Sequence, residues 1–207
     1  MLFCFAQEDI YAKFISIMGL VTLLSLITVG CSNKQNSTSQ SDKISIVTTT
    51  NVYSDIAKNI VGKYGTATAI IDKSSVDPHD FDPTTADAKK VAQANIIVAN
   101  GLGYDSWMNK LVKSVDKKPV LVGEDLMGLK SGDNPHIWYN LDMSTKYVDY
   151  LVKRLSKLDK KHAAYFKENG EKYLAKIDKI KQLAKANKGD QKPVFVSEPV
   201  FDYALQE

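Results

Sequence analysis

Three histidines, His79, His136 and His162, are the whole supply of imidazole in a chain of 207 residues. Neutral imidazole is the commonest protein ligand for transition metals, so the surroundings of each decide what chemistry is open to the protein. His79 lies in DPHDFDPT (77–84) and His136 in NPHIWYN (134–140). Each follows a proline, which fixes its own φ and pushes the residue before it toward extended geometry, so both rings are presented from stiffened segments. Glu198, at the end of PVFVSE, supplies a hard oxygen that could join them. Two histidines and one carboxylate suit Zn²⁺, Mn²⁺ or Fe²⁺. The spacings, 57 residues between the histidines and 62 from His136 to Glu198, form no local motif. Two readings therefore stand side by side: a metal site assembled by the fold, or Pro-His surface turns with Phe81 and Trp138 as ordinary core aromatics. Asp80, Asp82 and Asp87 flank His79 and read either as acceptors for an imidazole N–H or as a turn with a helix cap. His162, in LDKKHAAYF, sits among lysines and reads as a solvated helix start.

The elements that must position these residues alternate. ISIVTTT (44–50), TATAII (66–71), NIIVAN (95–100) and PVLVGE (119–124) are short β-branched runs. Helical spacing follows them, in Val52, Ile56, Ile60 and Val61, in TADAKKVAQA (85–94), and in Trp107, Leu111 and Val115. Strand–helix alternation predicts an α/β fold, a parallel sheet covered by helices. Such sheets bind ligands beyond the carboxyl ends of their strands, where the loops holding His79 and His136 fall. Residues 142–188 then carry two apolar stripes at helical spacing, one from Met143 to Leu158 behind an expected Asp142 cap and one from Phe166 to Leu183. Asp159 is expected to separate two helices, and Asn169-Gly170 is the weak point of the second. PVFVS (193–197) reads as a strand opening a second α/β unit.

At the other end, Phe14 to Gly30 is an uncharged run slightly short of a bilayer-spanning helix. It reads as the apolar region of a signal peptide ending at Val29-Gly30-Cys31, with Cys31 the expected lipidation site. Thr28 stands where that pattern prefers an aliphatic residue, and Glu8 and Asp9 outweigh Lys13 where a signal is usually basic. Cys4 would leave with the signal, so the mature chain has one cysteine and no intrachain disulfide. The expected organisation is a signal peptide over 1–30, a lipid-anchored tether over 31–42, and a metal-binding lobe over 43–141. A helical linker over 142–190 and the beginning of a second lobe over 191–207 follow. A formal net charge of +3 and a pI near 8.6 are too mild for a nucleic-acid binder.

The ordered set VGC, VTTTNVYSDIAKNIVG, PHDFDPTTADAKK, ANIIVANGLGYDSWM, NPHIWYN and VSEPVFDYAL resembles the metal-binding lipoproteins of ABC importers, the zinc and manganese receptors. The resemblance covers 31–207. It implies an extracytoplasmic, lipid-anchored receptor with no catalytic role, which binds a divalent metal, Zn²⁺ or Mn²⁺, between two α/β lobes and delivers it to a membrane permease. It further implies His79 and His136 as ligands from the first lobe, Glu198 as the third ligand from the second, and a long helix joining the lobes. The family's fourth ligand, an aspartate late in the second lobe, has no counterpart up to Glu207, which reads as a two-lobe receptor cut short. Asn134 stands where the family often has an aspartate, and the lack of a His-rich acidic loop leans toward Mn²⁺. The alternatives are a secreted His₂-carboxylate metallohydrolase, which would need a general base that no motif supplies, a surface adhesin, and a non-functional remnant.

Overall fold

The computed structural model describes residues 43–186 and 193–206. The expected signal peptide, Cys31 and the tether lie outside these residues. Four parallel strands, β1 (Ile44–Thr50), β2 (Gly65–Ile71), β3 (Ile96–Ala99) and β4 (Val120–Leu121), form one sheet in the order β2-β1-β3-β4. The register runs Ile46 to Ala67 on one side of β1 and Val47 to Ile97 on the other. Because side chains alternate along a strand, Ile44 and Ile46 of β1 and Ile96 and Val98 of β3 point into one core. Val47, Ile97 and Ala99 point into a second core on the opposite face. The second core is closed by α2 (Thr85–Gln93) and α3 (Trp107–Ser114), through Val91, Met108, Leu111 and Val112.

The first core is larger. It is covered by α1 (Asn51–Val61), α4 (Leu141–Leu158) and α5 (Ala163–Ala186). Met143, Tyr147, Val148, Leu151 and Leu155, one face of α4 at helical spacing, are fully buried against Tyr53, Ile56 and Ile60 of α1. Fully burying such a side chain is worth about 1.5–3 kcal/mol, so α4 is bound to this lobe by its own sequence pattern. The break expected at Asp159 is present: its side chain accepts the His162 backbone N–H, starting a 3₁₀ turn over Lys160–His162 that leads into α5. The second stripe is buried at Phe166 and Ile177, whereas Ile180 and Leu183 are 48% and 62% exposed.

Four expectations are corrected. The fourth strand is two residues long, because from Val122 the chain winds into a wide helical turn ending at Leu126. The cap of α4 is Asn140, whose side chain accepts the Asp142 N–H at 2.9 Å; Asp142 sits in the first turn and pairs with Lys181 of α5. Residues 193–197 are exposed and in no strand; a strand needs a neighbour for its backbone groups, and none of the described strands lies beside them. They lead into a short helix, α6 (Asp202–Leu205). His162 is not simply solvated: its ring stacks on Tyr64 at 3.6 Å and its Nδ1 lies 2.6 Å from Asp159 Oδ2.

Gly170 does not break α5, and its lack of a side chain has a packing reason. A Cβ there would lie 2.7 Å from Val152 Cγ2 and 3.3 Å from Val148 Cγ1 of α4. In an exposed helix Gly→Ala gains about 1 kcal/mol; here the stiff valines must move. Gly170→Ala is therefore expected to destabilise by about 1–3 kcal/mol, read as a lower urea midpoint.

The start of α2 carries a capping box in which Thr84 and Asp87 bond each other's backbone N–H. Burial alone would raise the Asp87 carboxyl, but its bonds to Thr84 and Lys90 outweigh that and hold it below the ordinary value. A depressed carboxyl gives stability that is present above its unfolded pKa of about 3.9 and is lost as pH falls through the lower folded value. Thr84→Ala should cost about 1 kcal/mol at neutral pH. Asp87→Asn should also destabilise at pH 7, with the gap from wild type narrowing in urea titrations as pH drops below about 3.9.

Candidate metal centre

All four strands run the same way, so the loops after β1, β2, β3 and β4 gather at one edge of the sheet. His79 lies in the loop after β2 and His136 in the segment after β4, at the start of a 3₁₀ turn over Ile137–Tyr139. Each loop is tied down by the connection that follows β3. Trp107 Nε1, at the start of α3, donates to Pro78 O at 3.0 Å, fixing the residue before His79. Asn100, at the end of β3, donates through Nδ2 to Pro135 O at 3.1 Å, fixing the residue before His136. Asn100 is itself held: its Oδ1 accepts from Tyr53 OH, and its backbone N–H donates to Asp105 Oδ2 at 2.6 Å. Burial pushes the Asp105 carboxyl up, against the lowering by the N–H groups of Asn100 and Gly101.

The NGLG stretch after β3 is a turn in which Gly101, Leu102 and Gly103 all have positive φ, at 81°, 56° and 85°. Glycine takes this conformation at little cost and leucine does not. Leu102 is held there by burial in the first core and by its N–H bond to Glu124 Oε1 at 2.9 Å. A Cβ on Gly101 would overlap Glu124 Oε2, so the same carboxylate requires glycine at that position.

This turn delivers Tyr104 into ring contact with both histidines. The His79 ring lies 4.8 Å from the Tyr104 ring and the His136 ring 6.1 Å from it, with Trp138 completing an aromatic wall at 5.1 Å from Tyr104 and 5.2 Å from His136. Burial, with Asp77, Asp105 and Glu198 nearby, pushes the Tyr104 phenol up to about 12, so it stays protonated at neutral pH. Tyr104 was not among the residues singled out in the sequence. The signal available was its place in the loop after β3, at the same sheet edge.

His136 is buried and its Nε2 faces Glu198 Oε1 at 3.1 Å, while the Glu198 side chain is 59% exposed. The structure thus brings two of the three expected ligands together. Asn134 joins the same contact: its Oδ1 accepts the His136 backbone N–H at 3.0 Å and lies 2.7 Å from His136 Nδ1, and its Nδ2 donates to Pro199 O at 2.6 Å. His79 is exposed, with its backbone N–H on Asp77 Oδ1 at 2.8 Å, and its ring contacts Tyr104 rather than the His136–Glu198 pair. Among the described residues no three His, Cys, Asp or Glu side chains stand close enough together to hold one ion. Asp87 belongs to the cap of α2, and Asp80 and Asp82 are exposed. His162 is paired with Asp159 and stacked on Tyr64, beside the start of β2, the edge opposite the site.

Residues 46–207 match the family model described as "ZnuA: Zinc-uptake complex component A periplasmic". A metal ABC transporter substrate-binding lipoprotein of Lactococcus lactis is 31% identical over 215 residues, covering 95% of this chain and 67% of its own length. The manganese ABC transporter substrate-binding lipoprotein PsaA of Streptococcus pneumoniae is 31% identical over 210 residues, covering 92% of this chain and 67% of that protein. The metal-dependent lipoprotein YcdH of Bacillus subtilis superposes with a TM-score of 0.70 at 26% identity over 79% of this chain and 64% of that one. The chain thus spans about two thirds of the length of these relatives. With its parallel sheet, its two Pro-His loops at one sheet edge and a match over 46–207, it belongs to the family of metal-binding solute receptors of ABC importers, proteins that bind a solute and are not enzymes.

Proposed function

We propose that the protein is an extracytoplasmic receptor, lipid-anchored through Cys31, that captures Mn²⁺ or Zn²⁺ and hands it to an ABC permease in the membrane. The observation that carries this reading is the His136–Glu198 contact. A ring nitrogen and a carboxylate oxygen 3.1 Å apart are spaced as two adjacent donors on one ion: bonds of about 2.1 Å meeting at about 95° span that distance. His79, on an exposed loop at the same sheet edge with its ring 4.8 Å from that of Tyr104, is the third donor in this reading. The ion is cargo, held by ligand exchange, and no bond of a substrate is made or broken. Two nitrogens and one oxygen form a borderline donor set that serves both metals, so availability and geometry decide which is carried.

The test is calorimetric titration of the full chain with Mn²⁺ and with Zn²⁺, beside His79→Ala, His136→Ala and Glu198→Ala. His136→Ala, which removes the buried donor, should abolish measurable binding. Removing either exposed donor should weaken it by ten-fold or more, in the range seen when groups supporting a metal site are lost. Unchanged affinity in all three variants would sink the assignment.

A further inference from the structure

We propose that Asn134 is a positioning residue: one amide both selects the His136 nitrogen that faces the metal and clamps the Glu198 segment against it. The proposal rests on the metal-receptor reading above. The orientation of the amide follows from its two neighbours. The His136 backbone N–H can only donate and the Pro199 carbonyl can only accept, so the atom facing the first is Oδ1 and the atom facing the second is Nδ2. Flipping the amide would set donor against donor and acceptor against acceptor. With Oδ1 fixed as an acceptor 2.7 Å from His136 Nδ1, the ring must carry its proton on Nδ1. The neutral ring then keeps its lone pair on Nε2, the nitrogen that faces Glu198 Oε1 at 3.1 Å. In the neutral ring that lone pair and the carboxylate oxygen repel unless a positive charge stands between them, and either a second proton, making the ring an imidazolium, or a divalent cation is such a charge.

The same residue reaches across to the second segment. Nδ2 holds Pro199 O, the carbonyl next to Glu198, and the backbone carbonyl of Asn134 accepts Tyr203 OH at 3.0 Å. Glu198, otherwise exposed, is thereby kept opposite the imidazole. An aspartate at 134 could accept from His136 but has no donor for Pro199 O, and would set an anion 2.6 Å from a carbonyl oxygen. Only a side chain with both a donor and an acceptor does both jobs.

Asn134→Asp and Asn134→Ala separate the two roles. In the metal-free full chain labelled with ¹⁵N-histidine, long-range ¹H–¹⁵N spectra above neutral pH should show His136 protonated on Nδ1 in wild type and in Asn134→Asp. In Asn134→Ala the proton should redistribute toward Nε2. Amide exchange over residues 198–205 should be at least several-fold faster in both variants. Calorimetry with Mn²⁺ and Zn²⁺ should show affinity about ten-fold weaker in both. A wild-type His136 protonated on Nε2, or exchange over 198–205 unchanged in both variants, overturns the role assigned to Asn134. A wild-type chain that binds neither metal overturns the receptor reading instead, because the spectra and the exchange rates are taken without metal.

Discussion

The shared direction of the four strands governs where this protein can do chemistry. In a parallel sheet every carboxyl end lies at the same edge, so segments distant in sequence have their following loops collected together. The loop after β2 brings His79, the loop after β3 brings Asn100 and Tyr104, and the segment after β4 brings Asn134 and His136. Separations of 57 residues and more vanish once the strands are side by side. The price of the arrangement is that both faces of the sheet must be covered. The two apolar cores do this, and they explain why β3 reads as a continuous apolar run rather than as an alternating strand.

Within that edge the loops are braced by one another more than by themselves. Trp107 holds the residue before His79, Asn100 holds the residue before His136, and Tyr53 and Asp105 hold Asn100. The indole N–H of Trp107 and the amide of Asn100 each hold a main-chain carbonyl of another loop, and Asn100 is held in turn by the Tyr53 hydroxyl and the buried Asp105 carboxylate. Proline before histidine limits the backbone, and the cross-loop hydrogen bond then fixes what remains free. This two-level restraint places His136 in a buried position with one defined partner on each ring nitrogen, Asn134 on Nδ1 and Glu198 on Nε2.

The first three strands, the alternation and the helix break at Asp159 were legible in the sequence because they rest on local periodicity and on a residue that stops a helix. What was not legible depended on partners. PVFVS has the composition of a strand, yet composition does not supply a neighbour to bond its backbone. PVLVGE has a strand pattern, yet only Val120 and Leu121 lie against β3. Asp142 and Asn140 are both fair caps by type, and the choice falls to the one whose side chain meets the first free N–H. Gly170 reads as a breaker until Val148 and Val152 of α4 are placed beside it. At the site, the two Pro-His loops announced themselves, whereas Tyr104 and the double role of Asn134 are visible only when the loops after β3 and β4 and the segment at Pro199 are brought together.

The third histidine shows how far position outweighs residue type. His162 has the same ring as the others, a carboxylate 2.6 Å away and an aromatic neighbour, much as His136 has. It differs in standing beside Tyr64, at the amino end of β2, with its contacts spent on joining the α4–α5 turn to the end of α1. His136, at the carboxyl edge, instead faces a carboxylate that belongs to an exposed segment, with His79 on a second exposed loop nearby. In the receptor role proposed, one donor is fixed by burial and two are carried on surface segments, an arrangement fit for cargo. On that reading the buried ring would define where an ion sits, and the exposed Glu198 and His79 would be the donors open to solvent. A site with all its donors locked in the core would hold a metal as structure. For an ion that must be passed on, the exposure of Glu198 and His79 matters as much as the burial of His136.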